Sequence, residues 1–308
     1  MDALGEGLLL LAKPRGPTSH DMVAAVRRAT GQRRVGHAGT LDPMAEGLLP
    51  LVLGPATRLV RFLPRSPKCY SGTLELGKSS DTDDATGEVR THEPLRLPDA
   101  AAVVVAAREM QGRGLQRPPA FSARKVEGQR LYRMARKGLA AEARPTEIEV
   151  YRFELSPTAR QEIYDFEAEV TGGTYIRALA RDLGEKLGCG GILTSLLRTA
   201  IGPMRLGDAL ELPSSSDPEP QRILEALIPP DRMPLEPPAF RLDDSEEARR
   251  FALGAALPVE RSDLPEGLVR VLHPSGRLLG MAEARDGRLQ PRIVLRREGR
   301  RRPAGEPA

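Results

Sequence analysis

Asp42 stands between Leu41 and Pro43 in the run Gly36-His37-Ala38-Gly39-Thr40-Leu41-Asp42-Pro43. A carboxylate on a loop stiffened by proline and set among glycines can be aimed at a substrate as a nucleophile or a base. It can also simply start a turn by bonding its own backbone. Arg177 is its natural partner. It falls in the first turn of a helix that Thr174 is expected to cap, where backbone N–H groups also favour an anion. A carboxylate paired with an arginine stays ionised at neutral pH, which suits a nucleophile or base and not an acid. A helical arginine turned to solvent is the plainer alternative.

Flat rings beside cations are the second ingredient. The chain has no Trp, five Tyr and six Phe, yet Tyr70 follows Lys68 by two residues and Tyr175 precedes Arg177 by two. Such rings suit stacking on a nucleic-acid base, although either could be core. The stretch Arg117-Pro118-Pro119-Ala120-Phe121-Ser122-Ala123-Arg124-Lys125, continuing to Arg136-Lys137-Gly138, is basic with aromatic interleaving and could close over RNA; a solvated loop and helix is the alternative.

Other chemistries fail on spacing. Asp81-Thr82-Asp83-Asp84-Ala85-Thr86-Gly87 looks like a calcium loop, but Ala85 and Thr86 stand where an acid and a glycine are needed, so it reads as a turn bonding its own backbone. His20, His37, His92 and His273 show no paired metal spacing. Neither a phosphate-cradling nor a dinucleotide glycine pattern is present, and there is no serine elbow.

The elements that must position these residues follow from periodicity. Leu8–Leu11 predicts a buried strand, Ser19 the cap of a helix burying Met22, Val23, Val26 and Ala29, and Gly31 its end. Gly36–Pro43 reads as irregular loop, Leu48–Leu53 as a strand and Ala56–Leu63 as a short helix. Alternation predicts strands over Tyr70–Leu76, Glu147–Leu155 and Ile163–Val170, with a helix from Pro98 to Gln111 between them. Behind Thr174 a helix carries Ile176, Leu179, Ala180, Leu183 and Leu187 on one face. Prolines crowd between Leu212 and Pro238 around one helical stretch, Arg222–Leu227, and short strands follow at Leu268–Leu272, Leu279–Ala284 and Ile293–Leu295.

Composition sets the frame. With 308 residues, 40% hydrophobic and 29% charged, the chain can bury a core and is not disordered. The 46 cations exceed the 42 acids only slightly, but just Lys13, Lys68, Lys78, Lys125, Lys137 and Lys186 are lysines. Arginine forks onto phosphate and stacks on bases, though a GC-rich genome gives the same skew. Cys69 and Cys189 exclude a disulfide framework. Leu8–Leu11 is too short for a signal-peptide core and follows Asp2 and Glu6, and no run approaches a membrane span, so a soluble cytoplasmic protein is expected; a monomer is the default, since no oligomerisation signal stands out.

The run from Gly36 through Pro43 to Met44-Ala45-Glu46-Gly47-Leu48-Leu49-Pro50 resembles the signature loop of the bacterial TruB-type tRNA pseudouridine synthases. Four further stretches match in order: Leu10–Gly16, Lys68-Cys69-Tyr70 leading to Ser80–Gly87, Pro118–Ala123 through Gly138, and Gly173-Thr174-Tyr175-Ile176-Arg177 through Gly188-Cys189-Gly190. Gly267–Val271 and Leu279-Gly280-Met281 are similar to the family's PUA module, so the resemblance spans roughly residues 8 to 295. Cys69 departs from it, standing where the family carries arginine or another long polar residue.

The resemblance implies an α+β fold: a mixed, largely antiparallel sheet flanked by helices, followed by a small β-barrel-like PUA domain. The domains would be 1–236, catalytic, with an RNA-binding insertion at about 112–145; 237–301, PUA-like; and a tail, 302–308. It implies isomerisation of uridine 55 in the tRNA T-arm loop by base flipping, without cofactor or metal. Asp42 would be the catalytic carboxylate and Arg177 its partner, with Tyr70 stacking on the uracil. Tyr175 would line the same pocket, His37 would occupy space left by the flipped nucleotide, and Leu196 would make an apolar contact. A tRNA-folding chaperone without chemistry, or a base-excising glycosylase using Asp42, would share several of these features.

Overall fold

The computed structural model describes residues 5–93, 97–122, 125–126, 129–130, 144–211, 219–259 and 261–295. Most of the basic stretch after Ser122, and the expected tail, lie outside the described residues.

A ten-stranded mixed sheet forms the larger part. Its main strands are β1 (Gly7–Lys13), β2 (Val35–His37), β3 (Glu46–Leu53), β4 (Lys68–Leu76), β5 (Gly112–Gln116), β6 (Thr146–Pro157), β7 (Ile163–Val170), β8 (Gly191–Ile201) and β9 (Leu210–Glu211). They lie in the order β9-β1-β3-β8-β4-β7-β6-β5, with β2 also on β3. Only β9 on β1 and β8 on β3 pair in parallel. Helices α1 (Ser19–Thr30), α2 (Ala100–Arg108) and α3 (Ile176–Lys186) flank it.

Side-chain pattern explains which regions are covered. In β7, Tyr164, Phe166, Ala168 and Val170 are buried and alternate with the acids Asp165, Glu167 and Glu169, so one face is solvated. The continuous run Leu8–Leu11 is covered on both faces. Leu9 and Leu11 join the core under the helices, and Leu8 and Leu10 join a second cluster on the opposite face.

That second cluster includes Leu278, Met281 and Ile293 from a curled five-stranded sheet near the C-terminus. Its strands are β10 (Ala239–Arg241), β11 (Leu257–Pro258), β12 (Gly267–Leu272), β13 (Leu278–Arg285) and β14 (Arg288–Val294), in the order β10-β12-β13-β14-β11. Helices α4 (Pro220–Glu225) and α5 (Ser245–Ala252) stand before and beside it.

Several local expectations change. Thr18, not Ser19, caps α1: its hydroxyl accepts from Asp21 N–H, and the Asp21 carboxylate accepts from Thr18 N–H. Gly31 ends that helix in the left-handed conformation. Thr174 does not cap α3; Tyr175 occupies that position and supplies no side-chain bond. Gly36 and His37 are not irregular, because the free flank of β3 offers them a strand to pair with. The helix after Gly54 is a 3₁₀ turn over Gly54–Phe62. Residues 112–116, expected in an insertion, form the sheet's edge strand.

Candidate active site

The loop from Gly39 to Gly47 carries Asp42, and four groups hold its backbone. Ser19 Oγ donates to Leu41 O at 3.0 Å and accepts from Leu41 N–H at 2.9 Å, which is what this buried serine does in place of capping. Lys13, 1% exposed, donates through Nζ to Ala45 O at 2.7 Å, Pro14 O at 2.8 Å and Pro43 O at 3.4 Å. Burial pushes its ammonium down to about 8, against the opposing pull of Glu46 and Asp42. Gly16 N–H donates to Pro43 O at 2.8 Å.

Arg198 is the fourth. It is fully buried on β8 and spans the loop, donating to Gly39 O, Thr40 O and Leu48 O at 3.0, 3.2 and 2.8 Å. Desolvation lowers its pKa, and the neighbouring Tyr70 side chain opposes that. The backbones come this close because Gly47 sits at φ +101°, where a Cβ would collide with the Arg198 main chain.

Asp42 Oδ2 lies 2.9 Å from Arg177 Nη2. The carboxylate side chain is 40% exposed and the guanidinium 5%, so the arginine forms the floor and the carboxylate faces the opening. Arg177 is fixed in turn by Thr82 O at 2.7 Å, Phe121 O at 3.0 Å and Asp84 Oδ2 at 3.4 Å. Asp84 Oδ1 meanwhile accepts from Thr86 N–H and from the Thr82 and Thr86 hydroxyls. The acidic loop thus bonds its own backbone and also supplies Arg177 with a second anion. Asp83 pairs with Arg181 at 2.8 Å, one turn further along α3.

Around this pair lies a cavity of about 210 Å³, lined by Asp42, Tyr70, Tyr175, Arg177 and Leu196 together with Lys68, Ser122 and Thr174. Five of the six residues expected from sequence therefore converge. Gln116, at the end of β5, holds the Tyr175 backbone by two hydrogen bonds, donating to its O at 3.0 Å and accepting from its N–H at 2.8 Å. His37 is the exception. It lines an adjoining recess with Gly39, Arg65, Ser66 and Lys68, its ring edge-on to His20 at 5.8 Å. Burial, then the charges of His20 and Arg198, lower its pKa.

Residues not singled out in sequence also matter here. Arg198, Lys13 and Asp84 act through pairings between distant strands and loops, which no local pattern reveals. Ser122 leaves a buried hydroxyl without a partner among the described residues at the cavity wall. A carboxylate–arginine pair beside stacked-ring surfaces can hold a planar base and attack or deprotonate at its edge or its sugar.

Residues 27–176 match the model of the TruB family pseudouridylate synthase N-terminal domain, and residues 238–295 that of the pseudouridine synthase II TruB C-terminal region. The chain is 42% identical over 301 residues to tRNA pseudouridine synthase B of Thermobifida fusca, covering 95% of this chain and 99% of that protein. It is 40% identical over 291 residues to the protein of that name in Acaryochloris marina, covering 94% and 98%. The crystal structure of a Cbf5-Nop10-Gar1 complex shares the fold, with a TM-score of 0.70 at 23% identity over 96% of this chain and 87% of that one. With both segments matched, and relatives covered almost end to end, the chain belongs to the TruB family of pseudouridylate synthases.

Proposed function

We propose that this protein isomerises uridine 55 in the T-arm loop of tRNA to pseudouridine, as a cytoplasmic monomer. The N1–C1′ bond of the uridine breaks, the base rotates, a C5–C1′ bond forms, and the proton from C5 leaves to solvent while N1 takes one up. The observation that carries the reading is the Asp42–Arg177 pair at 2.9 Å in a cavity that Tyr70, Tyr175 and Leu196 also line. Relatives 36–46% identical bear the name tRNA pseudouridine synthase B.

Asp42 starts the reaction. Attack on the sugar, attack on the base and assisted deprotonation all begin from the same carboxylate oxygen, which Arg177 orients. Extruding a base from an RNA loop costs a few kcal/mol, and stacking on Tyr70 returns about 1–3 kcal/mol of it. A half-closed pocket keeps water from the detached base, which is what separates isomerisation from release of uracil. His37 fills space beside the flipped nucleotide, and the C-terminal sheet, read as a PUA-like module over residues 237–301, adds RNA contacts outside the catalytic part, residues 1–236.

A T-arm stem-loop labelled with tritium at C5 of uridine tests this in the presence of a chelator. Tritium release with no free uracil is expected from wild type and not from Asp42→Asn. Free uracil would make the protein a glycosylase, and tight binding without release, on full-length tRNA as well, would make it a chaperone.

A further inference from the structure

Lys68 opens β4 two residues before Tyr70, and the isomerisation as described leaves its charge unused. It lines the Asp42 cavity and also the adjoining recess of about 430 Å³ that His37, Gly39, Arg65, Ser66 and Gly172 help to form. A Cβ placed on Gly39 would stand 3.8 Å from Lys68 Nζ and 3.6 Å from Arg198 Nη1, so the two cations flank one glycine.

Among the described residues, no carboxylate pairs with Lys68, and the charges that act on it are those of Arg198 and Arg65. Burial, then these two guanidinium groups, push its ammonium down to about 8. Lys13 reaches a similar value but spends its protons on three carbonyl oxygens, two of them (Pro43 and Ala45) in the Asp42 loop. Among the described residues, Lys68 holds nothing in the fold. A half-buried ammonium kept beside two other cations opposes folding, so its partner must be an anion from outside.

An RNA substrate brings that anion with it. When a nucleotide swings out of a loop, its sugar and the phosphodiesters on either side are carried toward the mouth of the pocket that takes the base. The recess opens beside that mouth, and the polar groups facing it are Arg65 from the turn before β4, His37 from β2 and the Ser66 hydroxyl.

We infer that this recess is a phosphate subsite, in which Lys68, with Arg65 beside it, holds a phosphodiester bordering the extruded nucleotide while Tyr70 stacks on the base. The inference rests on the pseudouridine synthase reading and adds to it a group that grips the backbone at the reacting residue. Ring and ammonium then fix the base and its phosphate from neighbouring positions on one strand, which sets the orientation of the sugar between them.

Synthetic T-arm stem-loops carrying one neutral methylphosphonate, either 5′ or 3′ of the target uridine, test the contact with wild type, Lys68→Met and Lys68→Arg. Loss of one charge-assisted contact is expected to weaken wild-type binding about tenfold at one of the two positions. Lys68→Met is expected to bind the unmodified RNA about tenfold more weakly and to be indifferent to that same methylphosphonate, while Lys68→Arg recovers both affinity and sensitivity. The subsite is overturned if Lys68→Met binds unmodified RNA as wild type does, or remains as sensitive to each methylphosphonate as wild type. Tritium release by wild type reads the underlying reaction separately. Its absence would sink the isomerase reading, and the affinity cycle would still decide the phosphate contact.

Discussion

At the scale of single residues, Asp42 and Tyr70 divide the work between chemistry and capture. Asp42→Asn keeps the shape of the loop and removes the charge, so turnover should vanish while tRNA affinity, read by filter binding, stays within a few-fold of wild type. Tyr70→Ala removes a stacking surface worth about 1–3 kcal/mol and should lower kcat/KM by roughly 5- to 150-fold on a T-arm RNA; unchanged kinetics would discard the platform. Lys68 yields a prediction of opposite sign for stability. Its folded-state pKa of about 8 lies below its ordinary 10.5, so the unfolded chain binds the proton more tightly. That penalty is fully present below pH 8 and fades as pH rises toward 10.5. Lys68→Met should therefore raise Tm at pH 7, by a margin that shrinks over that window. A lower Tm at pH 7 would mean that the ammonium has a structural partner after all. Asp42, Tyr70, Arg177 and Tyr175 were legible in sequence because each sits in a distinctive local run. Asp84 and Lys68 were present in the same runs, yet their partners or want of partners emerge only when strands meet.

At the scale of elements, the Asp42 loop is rigid because both its ends are tied to things that do not move. Arg198→Met would take this donor from the buried Leu48 O and from the part-buried Gly39 O and Thr40 O, at about 1–3 kcal/mol for an acceptor that water cannot reach. We expect a loss of about 1–3 kcal/mol in urea unfolding, and Arg198→Lys should recover little, since a single ammonium cannot fork between Leu48 and Gly39. Ser19→Ala should cost about 1–2 kcal/mol and reduce kcat more than tRNA affinity, because Leu41 is the residue next to the carboxylate. The sequence pattern identified β1, β3, β4, β6 and β7 because their apolar residues either run together or alternate. It passed over β8, where Thr194, Ser195 and Arg198 interrupt the apolar positions. Those polar groups are satisfied only across strands, as in the Thr73–Thr194 and Thr73–Ser195 hydroxyl pairs at 2.6 and 2.8 Å. The cap of α1 went to the wrong hydroxyl for a related reason. Ser19 and Thr18 look alike in one dimension, and the distant Leu41 decides between them.

For the molecule as a whole, the two sheets are not independent. The face of β1 and β3 that carries Leu8, Leu10, Leu48 and Val52 is covered partly by Leu278, Met281 and Ile293, and Arg58 donates across to Val294 O at 2.8 Å. A chain ending at residue 236 would present that face to water as a broad apolar patch. It should melt at a lower temperature than the full chain and self-associate on gel filtration; a monomer with an unchanged melt would show that the C-terminal sheet contributes nothing to the core. Alternation and periodicity show a mixture of strands and helices, and the family resemblance implies the α+β fold, but neither reaches the sharing of one cluster by two sheets, because it joins positions more than two hundred residues apart.

The order of β8 in the chain has a consequence for biosynthesis. This strand occupies residues 191–201 yet lies between β3 and β4, whose residues end at 76. A nascent chain can pair β1 with β3 long before, and β4 with β7 only some twenty residues before, the ribosome has made the strand that joins these halves. Until it emerges, two unpaired edges face each other and the Asp42 loop lacks the arginine that clamps it. The half-made protein is therefore sticky and inert, and catalytic competence arrives in a single late step of translation.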